Sequence, residues 1–296
     1  MPSHPPTLPC ALAIGGLDPG GGAGIAADLR AMAAAGAFGC AAVAAITVQS
    51  TAGLRRVREV PARELISQVD EVMRHQRVLS VKVGALGGSA NVRAIAKLLG
   101  QHPAIPVVVD TPMAPTRGRA RLLDSGGIEA LKDILLPRAT LVTVNIDEAQ
   151  SLLGRRVRSV HEAREAARAI AALGPRAALV KGGHLTGDSA VDVLAVQGEV
   201  IELRARRLAI PGTHGSGCTF ASLIAGRLAA RGRSRSRGAG APLELSRSRS
   251  RGAGAPLEPP VDRDTLVAAV RWAKRAHHAA LRHTVDVGRG LRVIVF

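Results

Sequence analysis

The chain has 296 residues, of which 47% are hydrophobic, and carries a formal net charge of +17. This length and composition predict a globular protein with a substantial core, and they exclude a disulfide-stapled miniprotein and general disorder. Three Phe, one Trp and no Tyr leave almost nothing on which nucleic-acid bases could stack. The positive charge favours anionic ligands, and an RNA-binding protein that works by stacking is excluded.

The remaining composition predicts a cytoplasmic protein. Cys10, Cys40 and Cys218 lie far apart without metal-ligand spacing, which indicates neither zinc nor disulfides and favours a reducing compartment. No apolar run approaches the ~18–20 residues that span a bilayer, so no membrane partner is expected. Residues 1–9 lack the features of a signal peptide and are predicted to be a flexible N-terminus.

From residue 10 onward, short apolar runs alternate with helix-length amphipathic segments. The runs are continuous and rich in Val, Ile and Ala, as is typical of strands buried on both faces of a parallel sheet. Strands are predicted at 11–14, 41–48, 79–83, 105–109, 140–144, 177–180 and 190–196. Helices are predicted at 25–35, 62–75, 89–100, 126–135, 147–153, 161–173, 220–230 and 264–282. This order predicts an α/β fold, a wound and mostly parallel sheet with helices on both faces.

One segment interrupts the predicted domain of residues 10–296. Residues 233–244 read RSRSRGAGAPLE, and residues 247–258 repeat them. Such Arg/Ser/Gly/Pro-rich units bury too little apolar area to offset chain entropy, so a disordered insertion is predicted at 231–260. A tandem duplication tolerated on a surface loop is the favoured interpretation, and a tether for RNA or an acidic partner is the alternative.

A glycine-rich turn at 15–24, GGLDPGGGAG, joins the first strand to the first helix. Glycines at this position let backbone N–H groups approach a ligand at the edge where open α/β sheets bind their ligands. The spacing does not fit a dinucleotide-binding fingerprint, and a simple tight turn is the alternative interpretation.

A second glycine-rich stretch, GTHGSGCT at 212–219, opens a predicted helix. It has the outline of a Walker A loop, but Cys218 stands where the phosphate-binding lysine must be, so a P-loop NTPase is disfavoured. The N–H groups from Gly215 to Cys218, through Ser216 and Gly217, instead predict an anion hole at a positive helix end. A thiol there is expected to have a lowered pKa, which would let Cys218 act as a base or hydrogen-bond acceptor.

Two further sets of polar residues follow predicted strands. Asn145 and Glu148 are three residues apart on one helical face, which suits the orientation of waters around Mg²⁺, although helix capping alone would explain Asn145. Lys181, one of only five lysines, ends a strand beside two glycines and is predicted to bind phosphate. His184 and His214 are compatible with polar loop positions.

Together these loops resemble the hydroxymethylpyrimidine/phosphomethylpyrimidine kinases of thiamin biosynthesis, members of the ribokinase-like superfamily. The similarity covers nearly the whole chain outside the first nine residues and the insertion. The resemblance implies an ATP-dependent kinase that phosphorylates 4-amino-5-hydroxymethyl-2-methylpyrimidine and then its monophosphate. The matching stretches are ALAIGGLDPGGGAGIAADLRAMAAAGAFGCAAVAAITVQST (11–51), KVGAL (82–86), VVVDTPM (107–113), NIDEAQSLLG (145–154), VKGGHL (180–185) and THGSGCT (213–219).

The resemblance also implies roles for individual residues. Cys218 would occupy the place of the catalytic aspartate of the superfamily's sugar kinases, with Lys181 neutralising phosphate. Asn145 and Glu148 would serve Mg²⁺–ATP, with the metal held through water. The substrate-binding residues implied are Gly16, Asp28, Gln49, Ala85 and Asp110, and the remaining anion-hole and nucleotide-binding residues are Gly215, Ser216, Gly217 and Thr213.

The sequence departs from the family pattern at Ala85, where KVGAL replaces the usual KIGML and predicts a roomier substrate pocket. A pyridoxal or pyridoxine kinase of the same fold therefore stays open as an alternative, and a basic nucleic-acid-binding protein on a kinase relic is a second one. Relatives in the family are often dimers, so a homodimer is expected.

Overall fold

The computed structural model describes residues 8–110, 122–210, 212–236 and 261–296. Nine strands form one sheet in the order β3-β2-β1-β4-β5-β6-β7-β8-β9, and β10 and β11 form a parallel pair beside it. The strands are β1 (Cys10–Leu17), β2 (Phe38–Ser50), β3 (Gly53–Glu59), β4 (Val78–Val83), β5 (Val107–Asp110), β6 (Leu141–Asn145), β7 (Ala177–Lys181), β8 (Ser189–Val196), β9 (Glu199–Arg206), β10 (Thr213–His214) and β11 (Arg292–Val293).

The middle of the sheet is parallel, from β2 through β1, β4, β5 and β6 to β7. Except for the longer and partly exposed β2, these strands are short and almost fully buried, as predicted for a sheet covered on both faces. Alternate residues of β1 pack into two separate cores on opposite faces of the sheet. Leu12 and Ile14 belong to the first core, and Ala11 and Ala13 to the second. Wound α/β topology with helices on both faces is thereby confirmed.

Helices cover both faces. Those packed on the first core are α2 (Ala62–His75), α3 (Ser89–Gln101), α4 (Ser125–Ala130), α5 (Ile146–Leu153) and α6 (Val160–Ala171), and those packed on the second are α1 (Gly24–Ala34), α7 (Ser216–Ser236) and α8 (Arg263–Leu281). Gly36, with φ of +86°, follows the end of α1 where the sequence predicts a stop. A π-helical turn at Leu131–Leu135 continues α4.

Sequence patterns missed the strands at the sheet's two edges, β3 and β9, whereas a strand was predicted at 190–196, where β8 lies. β3 pairs antiparallel with β2, and β8 and β9 pair antiparallel beyond β7. β3 reads GLRRVRE, and its arginines mask the apolar pattern on which the prediction relied. Charged side chains are what an exposed sheet edge favours, because they oppose edge-to-edge pairing with other chains.

The second glycine-rich stretch opens a helix that is longer at both ends than predicted. α7 begins at Ser216 and runs to Ser236, which makes residues 231–236 helical where the sequence predicts part of a disordered insertion. The rest of the predicted insertion, 237–260, lies outside the described residues, as do residues 1–7 of the predicted flexible N-terminus. No helix within the described ranges is long and apolar enough to cross a membrane.

Candidate active site

Three adjacent parallel strands end in polar residues at one edge of the sheet. Asp110 ends β5, Asn145 ends β6 and Lys181 ends β7, so strand order alone brings them side by side. Lys181 Nζ lies 2.9 Å from Asp110 Oδ1, which also accepts a 2.8 Å hydrogen bond from Thr143 Oγ1. The carboxyl edge of a wound sheet is where such folds bind ligands, and here it carries a nearly buried ion pair.

The charges of this pair are maintained despite burial. Burial alone would lower the pKa of Lys181, but the carboxylates of Asp110 and Glu148 raise it to about 12. Burial would raise the pKa of Asp110, and Lys181 and Lys82 hold it below its usual value. Lys181 is therefore positively charged at neutral pH and held at a fixed position.

The turn at the start of α7 packs directly onto this ion pair. A Cβ added to Gly217 would lie 3.1 Å from Lys181 Nζ and 3.9 Å from Asp110 Oδ2, which shows how closely the backbone approaches. Gly215 has φ of +72°, a conformation that favours glycine. Because the first N–H groups of an α-helix have no partner within the helix, this turn presents donors beside an ammonium group. The sequence-predicted anion hole and phosphate-binding lysine thus lie together.

Cys218 follows in the first turn of α7, but its thiol is not activated as the sequence predicts. Burial raises its pKa to about 12; Lys82 and the Gly24 N–H oppose this rise, and the Asp110 and Asp28 carboxylates add to it. The helix-terminus argument was therefore wrong for this residue. Desolvation disfavours the thiolate more than the helix end favours it, so Cys218 is a neutral thiol at neutral pH.

Asp28 lies beneath the site in an ion pair closed to solvent. Lys82 Nζ donates to Asp28 Oδ1 and Oδ2 at 3.0 and 2.9 Å, and Ser222 Oγ donates to Oδ1 at 2.8 Å. Burial alone would lower the pKa of Lys82, and the carboxylates around it raise that pKa. Asp28, which the sequence predicts to bind substrate, is fully buried, and its carboxylate is held by Lys82 and Ser222.

A second hydrogen-bond chain links the two glycine-rich loops. Asp18 accepts from the backbone N–H groups of Gly20 and Ala23 at 2.8 and 2.9 Å, and its Oδ2 lies 2.8 Å from His214 Nε2. Burial raises the pKa of Asp18, but hydrogen bonds from His214 and the backbone outweigh burial and lower it. Gln49 Nε2 is 3.2 Å from the same His214 nitrogen. The side chain of Gln49, predicted to bind the pyrimidine, thus lies beside the hydrogen bond that joins the two loops.

Gly16 and Ala85 face one another beside a small cavity. A Cβ added to Gly16 would lie 3.7 Å from Ala85 Cβ and 3.9 Å from Thr47 Cγ2. Ala85 and Asp110 both line the cavity, which has room for about one water molecule, together with Val92, Val109, Leu123 and Leu135. The lining is mostly apolar, with Asp110 as its charged group.

Asn145 and Glu148 form a reciprocal cap on α5. Asn145 Oδ1 accepts from the Glu148 N–H at 2.8 Å, and Glu148 Oε2 accepts from the Asn145 N–H at 2.7 Å. Burial raises the pKa of Glu148 to about 7, with Lys181 opposing. Because burial disfavours the charged form of Glu148 and Lys181 only partly offsets this, an added cation would stabilise its carboxylate. In the described ranges, no group of three His, Cys, Asp or Glu side chains could hold a metal directly. The pair thus fits Mg²⁺ only through water.

Thr213 lies on β10, which pairs with β11 through Arg292. Sequence reasoning missed two residues that shape the site, Asp18 and Lys82. Lys82 carried a usable signal, because a lysine inside an apolar strand is expected only where a carboxylate can neutralise it.

Comparison with known proteins agrees with this geometry. The family model described as phosphomethylpyrimidine kinase matches residues 18–236. A hydroxymethylpyrimidine/phosphomethylpyrimidine kinase of Streptomyces coelicolor is 43% identical over 228 residues, which make up 77% of this chain and 84% of the relative.

Two solved structures share the fold. The Bacillus subtilis pyridoxal kinase, solved as an ADP complex, gives a TM-score of 0.78 at 25% identity and covers 98% of this chain and 97% of its own. The phosphomethylpyrimidine kinase of Clostridium difficile 630 gives a TM-score of 0.68 at 28% identity and covers 92% and 98%. The wound sheet with its charged carboxyl edge is that of a ribokinase-like phosphotransferase.

Within the ribokinase-like phosphotransferases, sequence similarity assigns this protein to one family. The matched family model and the 43% identity over most of both chains show that this protein belongs to the phosphomethylpyrimidine kinase family.

Proposed function

We propose that this protein transfers the γ-phosphoryl group of ATP to the hydroxymethyl oxygen of 4-amino-5-hydroxymethyl-2-methylpyrimidine, and then a second group to the resulting monophosphate. The observation that carries the proposal is the contact of the Gly217 turn with the Lys181–Asp110 pair at the carboxyl edge of the sheet. Phosphoryl transfer depends mainly on positioning and on stabilising charge, and this edge offers a fixed cation beside backbone N–H donors.

Lys181 and the turn from Gly215 to Cys218 would hold the transferring phosphoryl group. Lys181 supplies a permanent positive charge, since its pKa is raised to about 12. Cys218, a neutral thiol, would contact the acceptor without removing its proton; that proton would pass to the transferred phosphate or to water as the new O–P bond forms and ADP leaves. A loose transition state needs little help from a strong base, and the second acceptor is already a phosphate.

Asn145 and Glu148 would orient the waters of Mg²⁺ carried by ATP, and Thr213 would contact the nucleotide. The metal would neutralise phosphate charge when bound. The protein's own part is to keep the Glu148 carboxylate fixed in the first turn of α5, which the reciprocal cap supports.

The acceptor would lie between Gly16, Gln49 and Ala85, over the apolar cavity. Gln49 has an amide that can pair with an aminopyrimidine edge, and its side chain lies 3.2 Å from His214. Asp110 reaches the same cavity from the phosphate side, and Asp28 would act through Lys82.

The experiment is product identification. Purified protein, Mg²⁺–ATP and the hydroxymethylpyrimidine are incubated, and the products are separated and weighed by mass spectrometry. We expect ADP together with the pyrimidine mono- and diphosphates. The absence of both phosphates from a folded protein would refute the proposal.

The phosphate-site roles are tested separately. We expect Lys181→Ala and Cys218→Ala each to lower kcat/KM at least about tenfold, which is ~1.4 kcal/mol of transition-state stabilisation. Lys97→Ala, on the exposed side of α3, is the matched lysine control. Unchanged kcat/KM in both site variants would remove these roles while leaving the activity standing.

The alternative of a pyridoxal kinase is not favoured. The pyridoxal kinase of similar structure is 25% identical in sequence to this chain, whereas a hydroxymethylpyrimidine/phosphomethylpyrimidine kinase is 43% identical. A homodimer and a cytoplasmic location stay predictions. Light scattering during gel filtration would measure the molar mass and so test the homodimer.

A further inference from the structure

Helix α8 contacts the phosphate edge through a buried histidine that the mechanism above does not use. His277 Nε2 lies 3.0 Å from the side-chain oxygen of Ser216, the first residue of α7. The imidazole ring also stacks on Phe220, one turn further along α7, with ring centroids 5.1 Å apart and planes 15° apart. Two contacts therefore fix α8 against the first turn of α7.

His277 stays uncharged in this position. Burial, together with the nearby positive charges of Lys274 and Lys181, lowers its pKa to about 3. A neutral imidazole both donates and accepts hydrogen bonds, so it pairs with the Ser216 hydroxyl without adding charge beside the phosphate site.

The same face of α8 contacts the loop after Lys181. Lys274 precedes His277 by three residues, so both side chains project from one side of the helix. Lys274 Nζ donates to Asp192 Oδ2 at 2.7 Å, and Asp192 Oδ1 accepts from the Gly182 N–H at 3.0 Å. Gly182 directly follows Lys181, so Lys274 supports the lysine half of the site through one carboxylate.

We propose that His277 is a positioning residue for phosphoryl transfer, which holds Ser216 and the turn at the start of α7 in register with Lys181, while Lys274 holds the Lys181 loop from the same helix. The inference rests on the proposed kinase function. α8 has 19 residues and its apolar side is buried in the second core, so it offers a rigid base for both contacts.

A contact of this kind acts on the aligned transition state more than on ground-state binding. Loss of the Ser216 contact is expected to lower kcat about tenfold and to change KM for ATP and for the pyrimidine less than about twofold, because small displacements of aligned groups cost rate first.

The test compares His277→Leu with His277→Gln, whose amide can restore the hydrogen bond to Ser216. His278→Leu is the matched control, because His278 is half-buried and its Nε2 contacts the Arg206 carbonyl, away from Ser216. Wild-type activity on the pyrimidine is measured first, so that a failure of the proposed function is recognised independently of any variant.

We expect His277→Leu to lose about tenfold in kcat with KM unchanged, His277→Gln to regain most of kcat, and His278→Leu to match the wild type. A His277→Leu enzyme with wild-type kcat, or a loss that Gln does not rescue, overturns the proposal. Should the Leu variant fail to fold, Ser216→Ala removes the same hydrogen bond from the other side. Wild-type kcat in Ser216→Ala overturns the proposal, and a tenfold fall in kcat at constant KM supports it.

Discussion

At the scale of single residues, the site is built from lysines that the fold keeps charged. Lys82 and Lys181 are both nearly or fully buried, and each lies within 3.0 Å of a carboxylate. Taking one partner of such a pair away leaves a buried charge, which destabilises a protein by about 3–5 kcal/mol. Substitutions at Asp28, Asp110 or Lys181 thus affect folding as well as activity, so the stability of each variant is measured beside its kinetics.

The protonation of Cys218 gives the first prediction. A thiol whose pKa is raised to about 12 stays protonated at pH 8, so we expect folded protein to react slowly with iodoacetamide at Cys218. Peptide mapping by mass spectrometry measures the modified fraction, with protein unfolded in urea as the reference for full reactivity. Rapid alkylation of Cys218 in the folded protein would show a thiolate and contradict this account.

The neutral His277 predicts a component of acid sensitivity. Its pKa is about 3 in the folded protein against an ordinary 6.5, so below pH 6.5 only the unfolded chain takes up this proton. The free energy of unfolding therefore falls as pH drops from 6.5 toward 3, by ~1.4 kcal/mol per pH unit from this group, and the full stability is present above pH 6.5.

Urea unfolding of the wild type and of His277→Gln at pH 7, 6 and 5 measures this component. The variant lacks it, so we expect the wild type to lose more stability than the variant on acidification. Parallel pH dependences in the two proteins would argue against a buried neutral histidine.

At this scale the sequence revealed residues with distinctive local patterns and missed those defined by tertiary contacts. Lys181 and Asn145 end apolar runs, so their place at the sheet edge followed from strand order. Asp18 and His277 acquire their partners only on folding, since Asp18 meets a residue 196 positions away and His277 one 61 positions away. No local pattern encodes such pairs.

At the scale of elements, the two glycine-rich loops work as one unit. A Cβ on Gly22 would lie 2.4 Å from the His214 ring, and one on Gly215 would lie 2.0 Å from the Gly22 carbonyl oxygen. The backbones of the two loops are therefore in contact, and a side-chain hydrogen bond between Asp18 and His214 also joins them. The glycines that looked like two separate turns in the sequence serve one close approach.

Gly215→Ala tests this contact. The added methyl conflicts with the Gly22 backbone and the φ of +72° strains an alanine, so we expect destabilisation by about 1–3 kcal/mol. Because the turn beside Lys181 must shift, kcat/KM should fall at least about 100-fold.

Gly100→Ala within α3 is the control, because its nearest neighbour outside the helix would be the Arg138 guanidinium carbon at 3.6 Å. Thermal melts and steady-state kinetics measure both variants. A Gly215→Ala protein with wild-type kinetics would show that the loop contact is dispensable.

Element positions were largely predictable where apolar periodicity was strong. The central strands and most helices agree with the pattern within a few residues, because burial on both faces leaves a continuous apolar run. β3 and β9 were missed since an edge strand is half exposed and carries charge. The early start of α7 was hidden by glycines, which favour no helix on their own.

At the scale of the whole molecule, the net charge of +17 creates a field that attracts nucleotide and phosphate ligands. The repeat segment 237–260 contributes little to it: four arginines and two glutamates there account for +2, so removing them leaves +15. Both ends of the segment join one core, since Leu228 and Ala229 belong to the cluster on which Val261 packs.

Replacement of residues 237–260 by a Gly/Ser linker of about twelve residues is therefore expected to preserve the kinase. We expect kcat/KM within about twofold of the wild type, and RNA retention at 50 and 200 mM salt that does not depend on the segment. Steady-state kinetics and filter binding measure the two properties. Loss of activity, or of salt-sensitive RNA binding, on replacement would assign the repeats a function.

The most direct test of the central claim is a competition for limiting ATP. Hydroxymethylpyrimidine and pyridoxal are supplied at equal concentration with Mg²⁺, and mass spectrometry measures the ratio of their phosphorylated products in one reaction. The account predicts that pyrimidine mono- and diphosphates dominate. Pyridoxal phosphate as the main product would contradict the account, and would indicate that the roomier pocket at Ala85 accepts pyridoxal instead.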